Sequence, residues 1–258
     1  MTSDESRFTE QWDALDPFDP DYPHLWVKVE HLGRYLFARE YLRDRRVETV
    51  ADVGCGTGYG ARELASIAAR VIAVDANDEP LRHARELYAT DNIEYRVASA
   101  DDESLSSIAD PGSLDAVVCF ETLEHLTDPF GALGCLSGLI RPSGYLILSV
   151  PNGTHERVDN VGLLTNTHHR RMFSISGITE LVRTAGFGVI EVLGQPLAAE
   201  INRSETRLIR RKQTDRRIGD EPALHQAATI RQLAMVTGYP EQRDVEWSYS
   251  VTVVARRR

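Results

Sequence analysis

The stretch VADVGCGTGYG, residues 50–60, runs from an apolar segment through three spaced glycines into helix-forming residues. Its first half closes a buried strand over 47–53, and YGARELASIAA (59–69) reads as the helix that follows. Glycines at such a junction let the backbone turn tightly and approach a ligand with no Cβ in the way. The helix behind them offers free N–H groups to an anionic or polar group. A second strand, RVIAVD (70–75), ends on Asp75, 21 residues after Gly54. An acid at that place can accept both hydroxyls of a ribose. Loop, helix and strand-end acid together point to an adenosine-containing ligand.

The rest of the chain continues the alternation. The next helix spans 80–90, with Asn77 and Asp78 as capping candidates. Strands follow at 93–99, 114–120 and 144–150, and helices at 129–140 and 174–186. Near-continuous Val, Ile, Leu and Ala in these strands mark a parallel sheet covered on both faces. Before them, Leu25, Val29, Leu32 and Leu36 fall at helical spacing and predict an amphipathic helix over 24–43. Two last strands, 187–194 and 247–255, are expected to pair antiparallel at one sheet edge. Between them, residues 196–240 form an insertion with at least one helix near ALHQAATIRQLAMV. The expected architecture is therefore α/β: a doubly wound, Rossmann-like, seven-stranded sheet with an N-terminal helical cap. The arm and cap take residues 1–45, and one domain takes 46–258.

Composition fits a globular chain, at 42% hydrophobic and 26% charged over 258 residues. No apolar run approaches the roughly 20 residues of a membrane span. The N-terminus lacks the basic start and apolar run of a secretory signal, so a cytoplasmic address is expected. Cys55, Cys119 and Cys135 share no metal-ligand spacing and read as reduced, inert thiols. The net charge of −10 is uneven: residues 1–24 carry seven acids and one base, and residues 200–217 seven bases and three acids. The basic stripe has no interleaved aromatics, so no nucleic-acid partner is expected.

The end of the fourth strand carries polar groups in a tight cluster, CFETLEHLTDPF (119–130). A dinucleotide fingerprint is not met from Gly54, since Tyr59 stands where a third glycine belongs. No Walker lysine follows either. Instead D-x-G-x-G-x-G through Asp52 resembles the first motif of the class I methyltransferases that use S-adenosylmethionine. VIAVDANDEPLRHAREL, ASADDESL, LDAVVCFETLEHLTDP and LIRPSGYLILSVPN resemble the later motifs in order. HLGRYLFAREYL before the first strand and NTHHRRMFSISGI after the fifth resemble small-molecule members of the ubiquinone-biosynthesis and sugar or antibiotic tailoring kind. Ile140-Arg141-Pro142-Ser143-Gly144 departs from the usual turn before the fifth strand.

The resemblance implies a cofactor and a site. S-adenosylmethionine would lie on Asp52, Gly54, Gly56, Gly58 and Tyr59, with its ribose on Asp75 beside Ala76. Asp101 would meet the adenine amino group and Asp102 a nearby backbone contact. Phe120 would face the adenine or sulfonium, and Arg34 would clamp the methionine carboxylate. Glu121 would sit near the methyl group or substrate. His125 is the candidate base, with a structural histidine as the alternative. Glu124 is expected to make a solvent or structural contact. His168 and His169 would line the substrate site, as would Trp12 and Tyr22 from an arm closing over it. The same arm could pack on a second subunit. No carboxylate stands at ligand spacing from the paired histidines, so no metal is expected. The implied reaction methylates oxygen or nitrogen of a small metabolite. The acidic arm leans towards an amine acceptor. A nicotinamide-dependent reductase and a cofactor-binding protein without activity are the alternative readings.

Overall fold

The computed structural model describes residues 15–156, 164, 166–214 and 217–258; Trp12 lies outside them. Helix α1 (Leu25–Arg43) precedes strand β1 (Thr49–Val53), and the glycine loop leads into α2 (Tyr59–Leu64). Then come β2 (Arg70–Asp75), α3 (Asp78–Leu87), β3 (Ile93–Val97), β4 (Leu114–Phe120), α4 (Pro129–Leu139) and β5 (Ile140–Pro151). The chain closes with α5 (Ile175–Thr184), β6 (Phe187–Gly194), α6 (Pro196–Arg210), α7 (Ala227–Val236) and β7 (Ser250–Arg257).

The seven strands form one sheet in the order β3-β2-β1-β4-β5-β7-β6. The first five are parallel. β7 runs antiparallel to both β5 and β6. The expected antiparallel pair is present, with β7 wedged inside the sheet and β6 at the edge. From β1 the chain builds outward through β2 to β3, then returns to lay β4 on the other side of β1. The carboxyl ends of β1 and β4 thus meet at the switch point of the sheet, where open α/β sheets bind ligands.

Period-2 alternation splits the core between the two faces. Ala51, Val53, Ile72, Val74, Val117 and Cys119 pack under α4 and α5. Val50, Val71, Ala73, Ala116, Val118 and Ile147 face the other way, onto Leu25, Val29, Leu32 and Leu36 of α1 and onto α2 and α7. The cap helix therefore shares a core with the sheet. Asp128 and Ser174 cap α4 and α5 by accepting from Gly131 N–H and Gly177 N–H.

Two local differences from the sequence reading have physical causes, and the insertion meets the expectation of at least one helix. Helix α2 stops at Leu64, five residues short, where Ser66 Oγ turns back onto the Glu63 carbonyl. The segment Ile140–Gly144 continues into β5 with Ser143 at φ 65° and a slip in register against β4. The insertion holds a second helix, α6, which starts on Pro196, whose fixed φ suits a first helical turn. No helix among the described residues is long and apolar enough to cross a membrane.

Candidate functional site

The glycine loop is the first wall. Gly54, Gly56 and Gly58 have φ of 77°, 52° and 86°, a region that side chains with a Cβ adopt only under strain. Gly58 is also packed shut, since a Cβ there would lie 2.5 Å from the Ala84 Cβ of α3. Gly56 differs: a Cβ there would meet nothing within 4 Å, so this backbone borders open space at the switch point. Its N–H donates to Asp75 Oδ2 at 3.0 Å, and Asn77 N–H donates to Asp75 Oδ1 at 2.9 Å. The carboxylate is thereby fixed at the tip of β2, and a carboxylate oxygen can accept more than one hydrogen bond. Ala76 beside it is exposed.

Under the loop lies an aromatic and acidic layer. Tyr35 of α1 meets Tyr59 and Phe120 edge-on, at centroid distances of 5.3 and 4.9 Å. Its hydroxyl donates to Asp52 Oδ1 at 3.0 Å, while Asp52 Oδ2 is buried without a partner among the described residues. Burial pushes the Asp52 carboxyl up to about 7, against the Tyr35 hydrogen bond and with help from the Asp75 charge. The folded state therefore holds this proton more tightly than the unfolded chain, whose aspartate titrates near 4. The stabilisation is complete below about pH 4 and is lost as pH rises through 7. Asp52→Asn keeps an acceptor for Tyr35 and removes the charge. It is expected to raise the melting temperature at pH 8 by about 3–6 °C and to change it little at pH 5. An unchanged or lower melting temperature at pH 8 in a differential scan would contradict this.

The second wall comes from α1 and the tip of β4. Arg34 is 1% exposed. Its Nη1 donates to Gln195 Oε1 at 2.9 Å and stands 3.9 Å from Glu121 Oε1, while Nε and Nη2 are buried without partners among the described residues. Glu121 leaves β4 at φ 47°, a strained backbone for a residue with a Cβ. The Ser149 and Ser250 hydroxyls donate to its Oε1 at 2.6 and 2.8 Å. These serines come from β5 and β7, so the β4-β5-β7 order aims this carboxylate.

The third wall is a histidine cluster. His125 Nδ1 lies 3.0 Å from the His168 carbonyl oxygen. A carbonyl only accepts, so Nδ1 carries the proton and Nε2 keeps its lone pair. Burial holds the His125 imidazole below its ordinary range, against the His168 bond. The His169 ring meets it edge-on at 5.1 Å, and His169 Nδ1 pairs with the Glu156 carboxylate. Glu124 is 1% exposed; neither carboxylate oxygen has a hydrogen-bond partner among the described residues, and Oε1 lies 3.8 Å from His125 Nε2. Burial, reinforced by the Glu121 charge, holds its carboxyl well above the carboxylate range. One ligand atom each from Glu124, His125 and His169 lies within 4.8 Å of the others. The spacing argument against a metal thus fails in space, because the carboxylate comes from 45 positions before His169. Glu124 faces the site rather than solvent. A concavity of about 420 Å³ opens beside the cluster, lined in part by Asn166, Thr167, His169, Arg170 and Arg171.

Other expected positions also carry contacts within the chain. The Asp101 carboxylate accepts from Thr127 N–H at 2.7 Å and Asp128 N–H at 3.2 Å, anchoring the turn before α4. Asp102 caps its own short helix by accepting from Ser104 N–H at 2.8 Å. Both remain exposed. Tyr22 is 4% exposed, with its ring against His24 and below Lys28. The described part of the arm lies on its own chain. Thr57 Oγ1 donates to the Leu15 carbonyl at 2.7 Å, and Asp16 accepts from Tyr88 Oη at 2.6 Å. Gln195, Ser149 and Ser250 carry no local signal, since their parts depend on strand order.

Residues 27–192 match the family described as a methyltransferase domain. A ubiquinone biosynthesis O-methyltransferase of Xanthomonas campestris is 37% identical over 145 residues, which is 55% of this chain and 56% of that protein. The match thus spans about half the length of that relative. A probable S-adenosylmethionine-dependent methyltransferase of Mycolicibacterium smegmatis is 30% identical over 217 residues, 81% of each chain. The N-methyltransferase NodS of Bradyrhizobium japonicum, solved with S-adenosyl-L-homocysteine, superposes over 98% of each chain with a TM-score of 0.58 at 14% identity. That last likeness is one of fold.

Proposed function

This chain belongs to the methyltransferase-domain family, and we propose that it transfers a methyl group from S-adenosylmethionine to a hydroxyl oxygen of a small-molecule metabolite. The substrate class is of the natural-product or sugar tailoring kind, with a nitrogen acceptor as the second possibility. When bound, the cofactor supplies a methyl group on a sulfonium, already activated towards displacement. The chain then has to hold, align and dry the reactants. Asp75 takes the ribose, the Gly54–Gly58 backbone borders the nucleoside, and Phe120 covers it. The unpartnered Nε and Nη2 of Arg34 suit a carboxylate, in the two-donor fashion a guanidinium favours.

The observation that carries the hydroxyl assignment is the Nε2 lone pair of His125, set by the His168 carbonyl at the tip of the sheet and lying 3.8 Å from Glu124 Oε1, beyond hydrogen-bond reach. A hydroxyl must lose its proton as it is methylated, and a near-neutral imidazole is a suitable base. An amine can be attacked neutral and lose its proton later. Among the acids of the arm, Asp16 is engaged by Tyr88 and His83. A second reading of the same cluster seats a divalent cation on Glu124, His125 and His169, where it would polarise the hydroxyl. The carboxylate behind His169 is the usual support for a ligating imidazole.

Titration calorimetry with S-adenosylhomocysteine and with NADPH tests the cofactor. Binding of the first and not the second is expected, and the reverse would favour the reductase. Transfer of labelled methyl to phenols, sugars and amines in parallel tests the acceptor. Label in the amine set alone would overturn the hydroxyl assignment. Treatment with a chelator distinguishes the two readings of the cluster. A loss of turnover of tenfold or more, restored by added divalent metal, assigns it to a cation; unchanged turnover assigns it to proton transfer.

A further inference from the structure

One buried acid beside this site has no part in the chemistry above. Glu30 stands one turn before Arg34 on α1 and is 8% exposed. A glutamate four residues before an arginine ordinarily closes on it as an ion pair. Here no ion pair joins them among the described residues, and Arg34 turns to Gln195 and towards Glu121. Gln195 holds the arrangement from both sides, since its Nε2 also donates to the Glu30 carbonyl at 2.7 Å. Glu30 Oε1 is left buried without a donor, and Arg34 Nε and Nη2 without acceptors. Burying three unpaired atoms of charged groups opposes folding. Two donors and one acceptor set one helical turn apart complement a carboxylate and an ammonium on the same carbon.

We propose that Glu30 and Arg34 form a two-ended clamp for the amino-acid end of the cofactor, with Glu30 Oε1 accepting from its α-ammonium and Arg34 Nε and Nη2 donating to its α-carboxylate. The inference rests on the cofactor reading above and extends it to a residue without a role there. Burial raises the Glu30 carboxyl to about 7, with Glu121 adding to the shift and Arg34 and Arg203 opposing it. A bound ammonium supplies the positive partner that Arg34 and Arg203 do not. Arg203 is committed to the Trp247 carbonyl at 2.7 Å.

The test compares S-adenosylhomocysteine with 5′-methylthioadenosine, which keeps the nucleoside and the thioether but lacks the amino-acid end. Glu30→Gln preserves the shape of the side chain. It is expected to weaken S-adenosylhomocysteine by about 10- to 100-fold and methylthioadenosine by less than twofold. Unchanged binding of the homocysteine product, or equal loss for both ligands, would overturn the clamp. Wild-type protein that binds neither ligand would overturn the cofactor reading itself, a separate outcome of the same titration. A second measurement needs no variant. The deamino analogue of S-adenosylhomocysteine should bind wild-type protein as weakly as the parent binds Glu30→Gln, and equal binding of analogue and parent contradicts the proposal.

Discussion

Asp75→Ala should abolish cofactor binding over the usable concentration range, with the affinity for S-adenosylhomocysteine falling by about 10²- to 10⁴-fold. The size follows from two hydroxyl donors on one carboxylate, each a hydrogen bond to a charged group and worth about 1.5–3 kcal/mol. The structure adds a second route to the loss. Asp75 also holds Gly56 N–H at 3.0 Å and Asn77 N–H at 2.9 Å. Without the carboxylate the glycine loop loses its tie to β2. The same substitution should therefore lower the melting temperature by a few degrees, in keeping with the loss of about 1 kcal/mol. Calorimetric titration beside a thermal scan checks both. Affinity within threefold of wild type would discredit the ribose assignment, whatever the stability.

His125→Ala acts on the other side of the reaction. Turnover should fall by about 10²- to 10⁴-fold, the range for removing a positioned acid–base group. Affinity for S-adenosylhomocysteine should stay within about threefold, because the imidazole sits beyond the tip of β4, against His168 and His169 rather than the glycine loop. Single-turnover rates with labelled cofactor, read beside product affinity, separate the two quantities. Parallel loss of turnover, affinity and melting temperature would assign the histidine to packing. The expectation holds whether His125 takes the proton or ligates a cation, and chelation decides between those.

Asp52→Asn and Glu30→Gln bear on a different economy. Asp52, Glu30 and Glu124 are buried carboxyls with raised proton affinity, each with an unpartnered oxygen. Such groups destabilise the ligand-free fold at neutral pH. Their cost is understandable only at a site that a polar or charged ligand completes. Loss of one of them should accordingly stabilise the chain while weakening what it binds.

Local chemistry on the chain was enough to read the alternation of strand and helix, the glycine loop, Asp75 and the polar tip of β4. Strands buried on both faces are written as continuous Val, Ile, Leu and Ala, and a tight turn needs glycine wherever φ is positive. Neighbours in sequence settle those features, so short-range physics suffices. Asp101 and Asp102 have contacts that sequence could not foretell. Their carboxylates could serve a ligand or a backbone N–H equally well, and the Thr127 and Ser104 amides lay closer. The convergence of Glu124, His125 and His169, the two serines behind Glu121, and the Gln195 that joins the Arg34 side chain to the Glu30 backbone carbonyl came only with the tertiary structure. Each joins segments far apart in the chain, brought together by the return of β4 to β1 and the wedging of β7 between β5 and β6. Burial then raises what an unpaired charge costs, and no local pattern records which buried charges end up unpaired.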